Sequence, residues 1–306
     1  MPKVLIATEK PFAAAAVSQI KSVFDDAGYE IAMLEKYEDK ADFLKAVADV
    51  DALIIRSDKV TPDVIDAGKK LKIVVRAGAG YDNVDLAAAS ANNVVVMNTP
   101  GQNSNAVAEL AIGMMIYQAR GQFNGKSGTE IKDKTLGILA YGNVGKIVAR
   151  LGKAFGMKVF AFDPFVPAAD IQKDGVEVVK SIADLFAKCN YVSLHIPAND
   201  ETKKSINYAL MSKMPIAATV VNTARKEVID EDGLLKMFAD RQDFVYISDV
   251  APDCAAEIAE KYAGRYYFTP KKMGAQTAEA NVNAGIAAAK QIVNFLEKGD
   301  KTFQVN

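Results

Sequence analysis

Short apolar runs rich in β-branched residues alternate with helical patterns along almost the whole chain. Val4–Thr8, Ala52–Arg56, Ile73–Val75 and Val94–Met97 read as strands, with Phe12–Ala27, Thr61–Lys70 and Asn83–Ala91 as helices between them. Continuous apolar strands suit a parallel sheet covered on both faces, and their alternation with helices makes stacked βαβ units. Asn103–Arg120 is a longer helical pattern, rich in Ala and Met, with Ser104 as a candidate cap and Gly121 as a stop. Its Met114 and Met115 suit packing rather than ligand binding. Gln122–Lys134 reads as a loop. A second series follows: strand Leu136–Ala140, helix Val144–Phe155, then strands Lys158–Phe162, Tyr191–Leu194, Thr219–Val221 and Phe244–Ile247. A last helix runs from about Ala278 to Glu297. The expectation is an α/β protein of two α/β layers with parallel sheets, joined by the long helix near residue 103, with a final helix available to cross back.

Composition narrows the function. Thirty-seven basic residues against 38 acidic ones leave a net charge of −1 over 306 residues, which argues against a protein built to grip nucleic acid or an anionic membrane. Two cysteines without paired spacing, Cys189 and Cys254, make a disulfide scaffold or thiolate zinc site unexpected. A single histidine, His195, excludes any metal site needing two imidazoles, and no metal is expected. The apolar run after Met1 is too short for a signal peptide, and no segment approaches the ~20 apolar residues of a membrane span. A cytoplasmic location is expected.

The stretch Leu136-Gly137-Ile138-Leu139-Ala140-Tyr141-Gly142-Asn143-Val144-Gly145 carries a G-x-G-x-x-G pattern with Ala140 at the first glycine. A strand precedes it and a helix follows. Small residues let the backbone approach a pyrophosphate, and the helix start offers free N–H groups and a positive dipole. Asp163 lies 18 residues after Gly145, at the end of the next strand. A carboxylate there accepts hydrogen bonds from an adenosine ribose and repels a 2′-phosphate, so NAD is the expected cofactor.

Several stretches resemble the D-2-hydroxyacid dehydrogenase family. They are Val220-Val221-Asn222-Thr223-Ala224-Arg225 with Val228-Ile229-Asp230, Ser193-Leu194-His195-Ile196-Pro197 with Thr202, Ser248-Asp249-Val250, and Thr269-Pro270 ahead of Gly274. Their order and spacing agree over nearly the whole chain. The resemblance implies two Rossmann-like, doubly wound parallel-sheet domains: a flavodoxin-like substrate domain of residues 1–99 and 287–306, and an NAD-binding domain of residues 100–286. It also implies a homodimer formed largely through the cofactor domain. Tyr141, Gly142, Asn143, Val144, Gly145, Asp163, His195, Ile196, Pro197, Thr202, Thr223, Ala224, Asp249 and Gly274 become the expected cofactor residues. For His195 a satisfied buried histidine and a catalytic base are the weaker alternatives.

Removing a hydride from a 2-hydroxy acid needs a cation for the carboxylate and the developing oxygen charge, and a base for the hydroxyl proton. Arg225 matches the family arginine, and its fork suits a carboxylate. The family's usual base is a histidine after Thr-Pro. Here the sequence is Thr269-Pro270-Lys271-Lys272-Met273-Gly274, without histidine and with one extra residue. Counting back from Gly274 puts Lys272 at the position; counting forward from Pro270 puts Lys271 there. Lys272 is the preferred base, in the manner of a branch of short family members with lysine as base. Burial and neighbouring positive charge should bring its proton affinity into the working range. The family glutamate that orients the histidine is replaced by Cys254, and Asp253 is a candidate partner for Lys272. Lys226 stands where the family usually has glycine or proline.

Within the family, Arg76-Ala77-Gly78-Ala79-Gly80-Tyr81-Asp82-Asn83-Val84-Asp85, Asn98-Thr99-Pro100, and Arg56-Ser57 with Val60-Thr61 look most like members that oxidise D-3-phosphoglycerate. Arg56 and Arg76 are candidates for the substrate phosphate, with Ser57, Asn98 and the backbone around Gly78 and Ala79 also against the substrate. The stop at Asn306 leads to no expectation of a C-terminal regulatory domain. Two rival readings follow. One is a reductase for glyoxylate, hydroxypyruvate or D-lactate, for which the two arginines have no phosphate to bind. The other is an NAD-sensing binding protein that has lost its chemistry with the histidine and the glutamate.

Overall fold

A computed structural model describes all 306 residues. The chain divides into two compact units, Met1–Asn103 with Gln276–Asn306, and Ser104–Ala275.

In the first unit the elements are β1 (Lys3–Thr8), α1 (Ala14–Ala27), β2 (Glu30–Glu35), α2 (Lys40–Val47), β3 (Ala52–Ile55), α3 (Pro62–Ala67), β4 (Ile73–Arg76), α4 (Leu86–Ala91) and β5 (Val95–Asn98). Its last helix, α12, spans Ala278–Lys298. The strands form one parallel sheet in the order β2-β1-β3-β4-β5. The period-two alternation of a strand decides which helices cover each face. Val4, Ile6, Ala52 and Ile54 pack with Phe24 of α1 and Ala284, Ala288 and Ile292 of α12. Leu5, Ala7, Leu53 and Ile55 pack with Phe43, Val47, Val64 and Ala89 from α2, α3 and α4. Gly285 lets α12 lie close on α1, because a Cβ there would stand 2.5 Å from Ile20 Cδ1.

The second unit begins with α5 (Ser104–Ala119). It continues with β6 (Thr135–Leu139), α6 (Asn143–Ala154), β7 (Lys158–Phe162), α7 (Ala168–Lys173), β8 (Glu177–Val178), α8 (Ile182–Lys188) and β9 (Tyr191–Leu194). It ends with α9 (Tyr208–Met211), β10 (Thr219–Asn222), α10 (Glu231–Asp240), β11 (Val245–Ser248), α11 (Ala255–Lys261) and β12 (Tyr266–Phe268). Its sheet is parallel throughout, in the order β12-β11-β10-β9-β6-β7-β8. The direction of winding reverses between β6 and β9, and ligands of such sheets bind beyond the carboxyl ends of the strands at that reversal. Met114 and Met115 are buried in the core that α5 shares with Leu136, Ile138, Val148 and Ala149, which is the packing role expected of them.

Both sheets are of the expected class. The second unit ends before α12, whereas residue 287 lies inside that helix. The Thr277 hydroxyl accepts the N–H of Ala280 and caps a helix that runs unbroken to Lys298. Three strands, β2, β8 and β12, were not anticipated; β8 has two residues and β12 three. The helix expected over Asn83–Ala91 starts at Leu86, because the Asp85 carboxylate caps it through the N–H of Ala88.

Candidate active site

The β6–α6 turn is built for close approach. Ala140, in place of the first glycine of the pattern, has φ +76° and donates its N–H to Phe162 O at 3.0 Å. Gly145 has no alternative, since a Cβ would stand 2.2 Å from Ala140 O. Gly142 is the N-cap of α6, is exposed, and would carry a Cβ with nothing within 4 Å. Small residues thus leave an open cradle in front of the exposed start of the helix. Asn143 is exposed and Val144 half-buried there. The Tyr141 side chain turns inward, buried, with its hydroxyl donating to Asp174 at 2.9 Å, so only its backbone faces the cradle. Asp163 closes β7: one oxygen accepts the N–H of Tyr141 at 2.7 Å, the other those of Phe165 and Val166 at 2.8 and 3.3 Å. It therefore sets the turn and the following loop, and its oxygens keep lone pairs for further donors.

At the winding reversal, His195 donates its backbone N–H to Leu139 O at 3.0 Å. Its Nε2 is buried without a hydrogen-bond partner, and burial pushes its pKa down to about 3. Burial thus favours the neutral imidazole. Ile196 is half-buried and Pro197 exposed beyond it. The Thr202 hydroxyl folds this loop by donating to Pro197 O at 2.5 Å and accepting the N–H of Asn199. Thr223, after β10, is buried with its hydroxyl also unpartnered. An open cradle at a helix start and two orphaned polar atoms at the ends of β9 and β10 fit a dinucleotide. Buried polar groups are rarely left without partners, and a ligand would supply them.

The catalytic candidates follow β10, β11 and β12. Asn222 shapes the loop that carries Arg225: its Oδ1 accepts the N–H of Ala224, and its Nδ2 donates to Arg225 O at 2.9 Å. The Arg225 guanidinium lies back on Ala224 O at 3.0 Å. Asp249, buried after β11, holds the loop of the two lysines. Its carboxylate accepts the N–H groups of Met273 and Gly274 at 2.7 and 2.8 Å and the Thr269 hydroxyl at 3.0 Å. With Thr269 and Met273 on one oxygen, Pro270, Lys271 and Lys272 form a short projecting loop, and both lysines are exposed. Burial, expected to lower the proton affinity of Lys272, is thus absent here. Asp253 forms an ion pair with Lys226 at 2.5 Å and is 77% exposed. Glu231 accepts the N–H groups of Asp253 and Cys254 at 2.8 Å each.

In the first unit the candidates sit at the carboxyl ends of β3, β4 and β5. Arg56 makes three bonds within the unit: Nη1 to Lys10 O and Pro11 O at 2.9 and 3.0 Å, and Nη2 to Asn281 Oδ1 at 2.5 Å. Its guanidinium also lies 5.1 Å from the Phe12 ring centroid. Arg76 donates Nε to Arg56 O at 3.0 Å, joining the two strand ends. Gly78 has φ +151°, and a Cβ there would fall 1.6 Å from Arg76 Nη1, so only glycine leaves space for that guanidinium. Asn98 Nδ2 donates to Ala79 O at 2.6 Å, and Ser57 is exposed. Sequence reasoning missed Asp58. It is 1% exposed and accepts the N–H groups of Glu9 and Arg56 at 2.7 and 3.1 Å and the Tyr37 hydroxyl at 2.9 Å. Its place beside Arg56-Ser57 was the one available signal.

Residues 106–261 match the family described as the D-isomer specific 2-hydroxyacid dehydrogenase NAD-binding domain. The chain is 36% identical over 289 residues to the hydroxypyruvate reductase of Thermotoga maritima, covering 87% of this chain and 92% of that protein. It is 34% identical over 276 residues to the D-3-phosphoglycerate dehydrogenase of Methanocaldococcus jannaschii, covering 84% of this chain and 52% of that one. The chain thus spans about half the length of the curated phosphoglycerate dehydrogenase, but most of the reductase. The crystal structure of NAD+-bound 3-phosphoglycerate dehydrogenase from Entamoeba histolytica superposes with a TM-score of 0.89 at 48% identity, over 100% of this chain and 98% of that one. The fold and site define an NAD-dependent oxidoreductase. The chain belongs to the D-isomer specific 2-hydroxyacid dehydrogenase family.

Proposed function

We propose that this dehydrogenase oxidises D-3-phosphoglycerate to 3-phosphohydroxypyruvate, the entry to serine synthesis, in the cytoplasm. The observation that carries the reading is the Arg56–Arg76 pair: two arginines at adjacent strand ends, with Arg76 Nε donating to the Arg56 backbone carbonyl at 3.0 Å. Paired arginines match the charge and fork geometry of a phosphate. Likeness to the Entamoeba enzyme over the full chain supports the same substrate. When bound, NAD supplies the acceptor for the hydride leaving C2. Arg225 binds the substrate carboxylate and polarises the C2 oxygen, and the Lys272 amine takes the hydroxyl proton. A homodimer through the second unit goes with this reading.

One observation favours a second reading. Arg56 already gives three N–H groups to Lys10, Pro11 and Asn281, which leaves two for a phosphate. An unphosphorylated keto acid such as hydroxypyruvate asks nothing of it, in line with the Thermotoga relative. Oxidation of NADH followed by absorbance, with 3-phosphohydroxypyruvate and with hydroxypyruvate, separates the two. Turnover confined to the phosphorylated acid establishes the proposal. Equal kcat/KM values assign the general reductase, and tight NADH binding without turnover assigns an NAD sensor.

A further inference from the structure

Strand β11 carries a buried hydroxyl in an apolar core. Tyr246 is 0% exposed and packs among Phe238, Phe244, Ile258 and Phe268, surroundings that phenylalanine would fill equally well. A buried hydroxyl costs stability unless it is hydrogen-bonded. This one accepts a bond from Asn222 Nδ2 at 3.1 Å. Asn222 closes β10, and β10 pairs with β11 in parallel register, so the contact is fixed by the sheet.

The Asn222 amide is held at three points. Its Oδ1 accepts the N–H of Ala224 at 3.0 Å, and its Nδ2 donates to Arg225 O at 2.9 Å and to the Tyr246 hydroxyl. The bonds to Ala224 N–H and Arg225 O flank the Ala224–Arg225 peptide on either side, and its carbonyl is the one on which Arg225 Nη1 rests at 3.0 Å. A rigid sheet position is thereby linked through one amide to the guanidinium of a loop residue. Without the hydroxyl, one amide N–H is left buried and unsatisfied, and the amide gains freedom to turn about its last torsion.

We propose that Tyr246 is a positioning residue for Arg225, acting through the Asn222 side chain. The inference rests on the reading of Arg225 as the carboxylate anchor. Removing the Tyr246 hydroxyl loosens the 222–225 loop and displaces the guanidinium from the substrate carboxylate, while the β6–α6 cradle is untouched.

The test is a double-mutant cycle on the purified enzyme, with NADH and the keto acid it turns over fastest. Tyr246→Phe is expected to lower kcat/KM for the keto acid about tenfold, the worth of one buried hydrogen bond to a functional loop. The dissociation constant of NADH, read by fluorescence titration, stays unchanged. In an Arg225→Lys background, Tyr246→Phe has little further effect on kcat/KM, because the group it positions is gone. A folded Tyr246→Phe enzyme with unchanged kcat/KM overturns the proposal, and so does a full tenfold loss added to that of Arg225→Lys. An Arg225→Lys variant with wild-type kcat/KM removes the anchor reading itself, a separate result read from a separate protein. If Tyr246→Phe does not fold, Asn222→Asp decides. It keeps the acceptor for Ala224 and loses the donor to Arg225 O, and full activity in that variant overturns the proposal.

Discussion

Asp249 Oδ2 accepts the backbone N–H of Gly274 at 2.8 Å, and a Cβ at Gly274 would stand 2.9 Å from that oxygen. The glycine and the aspartate therefore specify each other: one lets the backbone approach, the other gives it a charged acceptor. Together they fix the loop of Lys271 and Lys272. Gly274→Ala and Asp249→Asn are each expected to lower kcat by about ten- to a hundredfold, as misplacement of a catalytic group does. Steady-state kinetics with an NADH titration check this; loss of NADH affinity alone would place the pair in cofactor binding instead.

The two lysines can be told apart. With Met273 and Gly274 anchored on Asp249, Lys272 adjoins the anchor and Lys271 lies at the middle of the projecting loop. Lys272→Ala should reduce kcat by about 10²–10⁴, the range for removal of a general base. Lys271→Ala should cost less than tenfold. The reverse order, in single-turnover measurements, transfers the proton to Lys271.

The glycines of the cradle make opposite predictions. A methyl group on Gly142 meets open space in the free protein, so Gly142→Ala should keep its melting temperature and lose NAD affinity about tenfold or more. A methyl group on Gly145 meets Ala140 O at 2.2 Å, so Gly145→Ala should be destabilised by about 1–3 kcal/mol even without cofactor. Calorimetric melting beside NADH titration checks both.

Much of this architecture is written in local pattern, because β1, β3, β4, β6 and β9 are apolar runs buried on both faces. Strand β2 is not, since its Glu30-Ile31-Ala32-Met33-Leu34-Glu35 segment lies at a sheet edge, half-exposed, between two glutamates. The site divides in the same way. Gly145, Asp163 and Arg225 sit in recognisable spacings, and the structure places them at the β6–α6 turn, at the end of β7 and on the loop after β10. Asp58 offered only its place beside Arg56-Ser57, because the donors that satisfy it include Glu9 and Tyr37, brought near by the fold. Nor could the link from Tyr246 to Asn222, which exists only through the register of two strands.

His195 makes a prediction about pH. Its folded pKa, about 3, lies below the ordinary 6.5, so between these values the unfolded chain binds a proton that the folded chain does not. The contribution to stability is present above pH 6.5 and falls as pH drops toward 3, by about 1.4 kcal/mol per pH unit at most. Urea unfolding at pH 7, 5.5 and 4.5 should show a slope that His195→Asn flattens. A rate profile with a step near 6.5 that disappears in the same variant would instead mean that the imidazole titrates freely.

Arg56 holds residues Lys10 and Pro11 to Asn281, and Asp58 holds Glu9 to Arg56, so the two side chains frame the same strand end. Removing either should cost stability whatever the substrate. Asp58→Ala leaves three donors without their carboxylate and is expected to lose about 3–5 kcal/mol. Arg56→Lys keeps the charge but not the fork, and should lose about 1–2 kcal/mol. Substrate kinetics then separate framing from recognition. If Arg56 also binds phosphate, Arg56→Lys raises KM for 3-phosphohydroxypyruvate about tenfold and leaves that for hydroxypyruvate within about twofold. An equal rise for both acids would make Arg56 a clamp alone and leave Arg76 as the candidate for the phosphate.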